Sequence, residues 1–243
     1  MESIFHYCLY HCHVPGSCFD LTIPFSQTFP LAQLKHGSLK EYKEDLDRKD
    51  RLTPIVREAI SRAENVRVPI CYIAGPLTEA TEEQKLRYEI AAKLCEGYGW
   101  FGYAPHLYGT DPKKHPEVKP EEVRDIDYLW AVIMPTFHLN FFSPTAHGNA
   151  MELGWAEVAG IPTIGFIPEA ARVSRLLRGA RNLLILTSYE EGNMEVLVQN
   201  ALKDIHEWQE AHEVRFLMGS PRLWLEGYFA RIAFRRGLIE FPK

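Results

Sequence analysis

The chain has 243 residues, of which 46% are hydrophobic and 24% charged, and its formal net charge at pH 7 is −5. This composition is typical of a globular protein and excludes a chain that is disordered over most of its length. The acidic balance offers no overall positive field to nucleic acid or to an anionic membrane. No run approaches the ~18 apolar residues of a membrane span, and we expect a cytoplasmic protein that binds neither partner.

The first 67 residues show no regular alternation of elements. Their opening, "HYCLYHCHVPGSC", groups Cys8, Cys12 and Cys18 with three histidines, ligand types that zinc prefers. The spacing lacks a paired CxxC, so we expect no metal site. An odd total of five cysteines favours free thiols in a reducing compartment. Residues 52–66, "LTPIVREAISRAENV", look helical, and we interpret residues 1–67 as an extension packed on the core.

From residue 68 onwards strand and helix patterns alternate. The apolar run "VPICYIAG" (68–75) predicts a buried strand, and Thr81 with Gln84 forms a capping-box signature that begins a helix. "WFGYAP" (100–105) predicts a second strand, and the long loop at 105–120 is of a length often found over functional sites.

The alternation continues from Pro120, a residue favoured in the first turn of a helix. The further elements predicted are a helix at 120–130, a strand at 131–142 with a proline irregularity, a helix at 148–160, a strand at 161–168, a helix at 169–179, a strand at 182–188 and an amphipathic helix at 190–212.

This order predicts an α/β domain over residues 68–212: a doubly wound parallel sheet with helices on both faces. Ligands of such sheets bind beyond the carboxyl ends of the strands. Residues 213–243 form a basic, aromatic tail that we expect to cover the core or a subunit partner.

Glu152 is a charge within an otherwise apolar helix. At about 100° per residue, Met151, Trp155, Val158 and Ala159 share one side of that helix, and Glu152 lies at its edge. An inward carboxylate must be neutralised, hydrogen-bonded or placed in a polar cavity. A glutamate whose carboxylate reaches water at the helix margin is the alternative. The preceding "SPTAHGN" favours a site, because free backbone N–H groups at a helix start can hold an anion.

Two aspartates could complete carboxylate chemistry with Glu152. Asp125 and Asp127 both lie in "RDIDYLW", and paired carboxylates can divide acid and base roles when their environments separate their pKa values. A solvated acidic helix face would explain at least one of them. Periodicity alone does not choose between the two.

Five ordered motifs resemble the nucleoside 2-deoxyribosyltransferase superfamily, and the last two are most similar to its 2′-deoxynucleoside 5′-phosphate N-hydrolase branch. They are "CYIAGPL", "RDIDYL", "HGNAMELGWAEVAGIPTI", "VSRLLRGA" and "SYEEGNMEVL", within residues 69–202. The resemblance implies a flavodoxin-like sheet with Glu152 as the nucleophile, Asp125 as the assisting acid and Tyr72 as the residue that positions the nucleophile. It also implies that Gly148 lets the chain pass close to the sugar, and we predict further substrate contacts from Gly75, Ser143, Thr145, His147 and Asn149.

Substrate choice depends on the loop before Glu152. No acidic residue occurs from Tyr128 to Met151, where family transferases carry an aspartate for a free 5′-hydroxyl, and this favours a 5′-phosphate. The resemblance implies that Ser174, with Arg178 one turn later, reaches the phosphate of a neighbouring subunit in a homodimer. Asn182 either contacts the sugar across that interface or is a polar cap before a strand. The first loop, "GPLTEATEEQ", is acidic where the N-hydrolases have a glycine- and arginine-rich loop.

These features predict an N-glycosidase that releases the base from a (deoxy)nucleoside 5′-monophosphate through a covalent intermediate on Glu152, without a cofactor. The first alternative is a deoxyribosyltransferase that exchanges bases between deoxynucleosides. The others are a nucleotide-binding sensor without turnover and a hydrolase of nicotinamide dinucleotides.

Overall fold

The computed structural model describes residues 38–211 except 79, 144, 145, 160, 162, 170, 173, 179, 181 and 191. The cysteine- and histidine-rich start with Cys8, Cys12 and Cys18, and the tail at 213–243, lie outside the described residues. The helices are α1 (Leu39–Arg48), α2 (Pro54–Asn65), α3 (Glu82–Gly97), α4 (Pro120–Tyr128), α5 (His147–Val158), α6 (Arg175–Arg178) and α7 (Met194–Ala211). The strands are β1 (Ile70–Ala74), β2 (Phe101–Tyr103), β3 (Phe137–Phe141), β4 (Thr163–Pro168) and β5 (Leu183–Tyr189).

The five strands form one parallel sheet in the order β2-β1-β3-β4-β5. This order is that of flavodoxin-like folds, in which the direction of winding reverses between β1 and β3. The predicted fold class is therefore confirmed. The reversal opens a crevice at the β1/β3 junction, where ligands of such sheets bind.

Helices cover both faces of the sheet, and successive side chains of β1 point to opposite faces. Cys71 and Ile73 pack with apolar residues of α3 and α7 on one face. Tyr72 and Ala74 pack on the other face with residues of α1, α2, α4 and α5. A strand buried on both faces explains the continuous apolar run in the sequence, since neither set of side chains meets water.

The predicted start of α3 is confirmed. Thr81 accepts a hydrogen bond from the backbone of Gln84 at 3.1 Å, and the Gln84 side chain accepts from the backbone of Thr81 at 2.9 Å. This reciprocal capping satisfies two N–H groups that the first helical turn leaves without partners.

Two predicted elements differ from the structure. The segment at 131–142 was expected to be a strand, but α4 continues into a π-helical turn, Leu129–Ile133, and β3 begins only at Phe137. The turn is apolar and buried, and such a short run has no periodicity that separates helix from strand. The helix expected at 169–179 is reduced to the single turn α6.

The helices before the sheet pack on the face that carries Tyr72. Tyr42 of α1 donates a hydrogen bond from its hydroxyl to the backbone oxygen of Asp125 at 2.8 Å. Arg51, in the connection from α1 to α2, forms an ion pair with the Asp125 carboxylate at 2.8 Å. These contacts fasten α4 to residues 38–65. None of the helices in the described part of the chain is long and apolar enough to span a bilayer.

The loop after β2 is fastened to α3 by a buried ion pair. Lys85 Nζ lies 2.6 Å from Asp111 Oδ2, and Asp111 Oδ1 accepts a hydrogen bond from the backbone of Lys113 at 3.0 Å. Both side chains of the pair are almost fully enclosed. A buried charge left without its partner is costly, so the loop is held at this point of α3.

Gly102 of β2 provides a test of how closely α3 packs on the sheet. A Cβ at Gly102 would lie 2.5 Å from the Cα of Ala92 in α3, whereas a Cβ at Gly97 would meet nothing within 4 Å. We expect Gly102→Ala to lower the free energy of unfolding by about 1–3 kcal/mol, because strand and helix must separate. Urea denaturation measures this, with Gly97→Ala as the matched control. Equal stability of the two variants would contradict the close packing.

Candidate functional site

Glu152 lies at the β1/β3 junction and contacts Tyr72. The Tyr72 hydroxyl donates a hydrogen bond of 2.7 Å to Glu152 Oε1, joining α5 to β1. Glu152 Oε2 is buried and has no hydrogen-bond partner among the described residues. A buried carboxylate oxygen without a donor is a position that a ligand or water can satisfy.

The buried face of α5 differs from the predicted apolar side. Asn149, Glu152, Leu153 and Ala156 are buried, so Glu152 belongs to the buried face and is not at its edge. Of the predicted apolar side, Ala159 is buried and Trp155 packs against the core, whereas Met151 and Val158 are 50% and 68% exposed. The apolar pattern was misleading because the inward face of α5 meets polar groups of the site, and its outward face keeps apolar side chains.

Asp127, and not Asp125, is the aspartate whose charge affects the pKa of Glu152. The charge of Asp127 adds to burial in raising the pKa of Glu152, while the hydrogen bond from Tyr72 opposes the rise. Burial raises the pKa of Asp127 to about 7. The Asp125 carboxylate instead pairs with Arg51 and, at 3.6 Å, with Arg124. Two adjacent carboxylates resist ionising together, so the pair of Asp127 and Glu152 retains a proton near neutral pH.

An aromatic wall adjoins the two acids. Tyr103 of β2 pairs in register with Tyr72, and its ring stacks on Trp130 of the π-helical turn with centroids 4.2 Å apart. The charges of Asp127 and Glu152 add to burial in raising the pKa of Tyr103. Four buried polar atoms in this group have no hydrogen-bond partner among the described residues: Tyr103 Oη, Asp127 Oδ1, Trp130 Nε1 and Glu152 Oε2. Such a concentration of unsatisfied groups is typical of a ligand site.

The first turn of α5 is held against β3 by paired amides. Asn149 Nδ2 donates a hydrogen bond of 2.8 Å to Asn140 Oδ1, and both residues are buried. The Asn149 side chain therefore orients the helix that carries Glu152, three residues later. Its predicted contact with the substrate stays a prediction.

The other predicted residues near the first turn of α5 differ in exposure. Ser143 is half-buried, whereas His147 and Gly148 are exposed, and Thr145 lies outside the described residues. Gly75 faces the ring of Tyr88, and a Cβ there would lie 2.5 Å from the Tyr88 Cζ. Gly75 thus permits Tyr88 to lie against the end of β1.

The residues predicted to reach a neighbouring subunit are not gathered around Glu152. Ser174 is exposed, and its Oγ accepts a hydrogen bond from the Leu176 backbone at the start of α6, which also contains Arg178. Asn182 is buried and donates to Thr163 Oγ1 at 3.1 Å and to the Ile161 backbone oxygen at 3.0 Å. These bonds use the Asn182 amide to join the starts of β4 and β5, which agrees with the polar-cap alternative.

Two adjoining cavities lie beyond the carboxyl ends of the strands. The inner cavity, about 50 Å³, includes Pro76, Gln84, Arg87, Tyr88, Ser143 and Tyr189 in its lining. The outer cavity, about 610 Å³, shares Gln84, Arg87 and Tyr189 and is also lined by Thr81, Glu83, Glu169 and Glu190. Neither lining includes Glu152, Asp127 or Tyr72. Tyr88 of the inner cavity has a pKa raised mainly by burial, with smaller contributions that include the charge of Glu152.

Comparisons with known proteins give a limited result. No family model and no curated protein sequence matches the chain. Eleven chains of known structure match. One is the CMP N-glycosidase BcmB of Clostridium botulinum, with 19% identity and a TM-score of 0.40, and the match covers 54% of this chain and 96% of that one.

Sequence reasoning missed Tyr103, Trp130 and Arg87. One signal was available for Tyr103, since it occupies the third position of its strand as Tyr72 does, and parallel neighbours in register place equivalent residues side by side. No sequence pattern marked Arg87 as a site residue, because a glutamate and an arginine four residues apart on a helix usually form a surface ion pair. Among the described residues, no group of three or more His, Cys, Asp or Glu side chains could hold a metal ion.

The raised pKa of Asp127 predicts a dependence of stability on pH. The folded protein holds the Asp127 proton up to about pH 7, whereas the unfolded chain releases it near pH 4, so stability falls as pH rises between these values. Asp127→Asn should therefore increase the free energy of unfolding at pH 8 by about 1–4 kcal/mol, with little effect at pH 4. Chemical denaturation at both pH values measures this against Asp47→Asn on α1. An increase in the free energy of unfolding that is equal at both pH values would contradict this prediction.

Proposed function

We propose that the protein cleaves the N-glycosidic bond of a (deoxy)nucleoside 5′-monophosphate, with Glu152 as the nucleophile. The observation that carries this proposal is the 2.7 Å hydrogen bond from Tyr72 to Glu152 Oε1, beside an Oε2 that is buried and unpartnered. One oxygen is thereby held in position, and the other is available to an electrophilic carbon. An oxocarbenium-like sugar requires such a closely placed anion.

The retained proton belongs on Asp127 in this proposal. Tyr72 donates a hydrogen bond to Glu152 and so favours the ionised form of that carboxylate. Asp127 Oδ1 has no donor among the described residues, and a pKa of about 7 suits a general acid at neutral pH. The predicted role of Asp125 as the assisting acid is thus reassigned to Asp127, and Asp125 becomes a residue that fixes α4 through Arg51.

The proposed reaction has two steps. Glu152 forms a bond to C1′ as the C1′–N bond breaks. The leaving base keeps the electron pair of that bond and accepts the proton of Asp127. Water then attacks C1′, returns a proton to Asp127 and releases the Glu152 carboxylate. The products are the free base and the sugar 5-phosphate, with configuration at C1′ retained.

The five ordered motifs support membership of the nucleoside 2-deoxyribosyltransferase superfamily, and the acid-free segment from Tyr128 to Met151 supports a phosphorylated substrate. Among the predicted binding residues, Ser143 lines the inner cavity, close to the carboxyl end of β3. These features favour the nucleotide over the nucleoside that a deoxyribosyltransferase would use.

A homodimer is part of the proposal. Met151 and Val158 on the outer face of α5 and Leu176 of α6 are large apolar side chains that are exposed in the described part of the chain. A second copy that covered them would bring the neighbouring Ser174 towards a partner's site. Exposed apolar residues of this kind are typical of interfaces when they are contiguous.

The nucleophile is tested by Glu152→Gln, which keeps the side-chain shape and removes the attacking charge. We expect the rate of base release from deoxynucleoside 5′-monophosphates to fall by about 10³-fold or more, measured by chromatography of the free base. Glu157→Gln on the same helix is the matched control. Unchanged activity of Glu152→Gln would refute the proposal, exchange upon addition of a second base would identify a transferase, and nucleotide binding without release would identify a sensor.

The general acid is tested by the pH dependence of kcat. In the wild type, activity should fall above about pH 7, because a general acid is lost as pH rises through its pKa. Asp127→Asn should lower kcat by about 10²-fold or more and abolish this alkaline fall. Asp125→Asn should keep the alkaline fall, because Asp125 does not act on Glu152. An alkaline fall that disappears only in Asp125→Asn would return the role to Asp125.

A further inference from the structure

Arg87 is the charged group of the inner cavity. Among the described residues that line that cavity, the others are polar or apolar and uncharged. The Arg87 side chain is only 14% exposed, and Nη2 lies 2.7 Å from Glu83 Oε1, one helical turn earlier in α3. Gln84 and Ser143 add hydrogen-bonding groups to the same lining.

Glu83 is one partner of Arg87, and it is easily displaced. The Glu83 side chain is 68% exposed, so it can turn into water without losing its hydration. An ion pair with one solvated member contributes little to stability. A largely enclosed guanidinium paired with an exposed carboxylate can exchange that carboxylate for a ligand's anionic oxygens. Arginine binds phosphate with two parallel N–H donors, which a lysine cannot reproduce.

The outer cavity has the opposite charge. Three carboxylates line it, those of Glu83, Glu169 and Glu190. Among its described lining residues, Arg87 is the one that carries a positive charge. An anion extending outward from Arg87 therefore meets three carboxylates. Like charges repel, although water screens the repulsion at these exposed positions.

We propose that Arg87 binds the 5′-phosphate of the substrate in the inner cavity, replacing Glu83, and that the carboxylates of the outer cavity exclude nucleoside di- and triphosphates. The inference rests on the proposed function and deepens it by restricting the substrate to one phosphate. It also explains how a chain whose first loop is acidic can recognise a phosphate, since the cation comes from the second turn of α3 instead. Arg87 is then a specificity residue, and Tyr88, the next residue of α3, lines the same cavity.

The proposal is tested by binding, separately from turnover. In a Glu152→Gln background that blocks base release, isothermal calorimetry compares the four deoxynucleoside 5′-monophosphates with their nucleosides and their triphosphates. We expect a monophosphate to bind at least about tenfold more tightly than its nucleoside and its triphosphate. Equal affinities within such a series, tighter binding of the triphosphate, or no binding of any monophosphate would overturn the proposal.

Variants then assign the effect to Arg87. Arg87→Met should weaken monophosphate binding by about 10- to 100-fold and leave nucleoside binding unchanged, because only the charged hydrogen bonds are lost. Arg87→Lys should restore part of the loss. Glu83→Gln should tighten monophosphate binding by about two- to fivefold, since it removes the competing anion. A thermal melting curve for each variant identifies any that has not folded.

The matched control is Arg62→Met. Arg62 also pairs with a glutamate one turn earlier, Glu58 at 3.2 Å, but it does not line either cavity. A loss of monophosphate affinity in Arg87→Met no larger than in Arg62→Met would overturn the role of Arg87. Failure of the proposed function has a different signature: wild-type protein that binds monophosphates through Arg87 but releases no base. Base release that is equally fast with and without a 5′-phosphate would instead refute this inference and the preference for a phosphate, and leave cleavage through Glu152 in place.

Discussion

The site depends on Glu152, a buried carboxylate of α5 whose pKa is raised by burial and by the charge of Asp127 in α4. The hydroxyl of Tyr72 holds one oxygen of Glu152 from β1. Each element is in turn fixed elsewhere: α4 by Tyr42 and Arg51, and α5 by the Asn149–Asn140 amide bond. Such fixing is required because two adjacent buried acids destabilise the fold that contains them, and neighbouring contacts must offset that cost.

The helices before the sheet therefore contribute to the site without entering it. Residues 38–65 lie outside the alternating strands and helices of the domain predicted at 68–212. Arg51 nevertheless neutralises the aspartate two positions before the proposed acid. With Asp125 held in this way, α4 presents Asp127 to Glu152. Asp125 is thus an ion-paired residue that anchors α4, and Asp127 is the proposed proton donor.

The alternating elements were predictable because buried parallel strands are apolar on both faces and α3 carries a complete capping box. Glu152 was predictable because a carboxylate within an apolar helix is unusual. The inward side of α5 was not predictable, because Met151 and Val158 are apolar yet exposed. Only the tertiary contacts show this. The choice between Asp125 and Asp127 also required the structure, because both lie on one short helix and differ only in what packs against them.

The π-helical turn at Leu129–Ile133 separates α4 from β3, and it carries one residue more than an α-helical turn of the same height. The wider winding of this turn sets the angle about the helix axis between Asp127, at the end of α4, and Trp130, whose ring stacks on Tyr103. The geometry of this turn is thus as much a part of the site as any side chain.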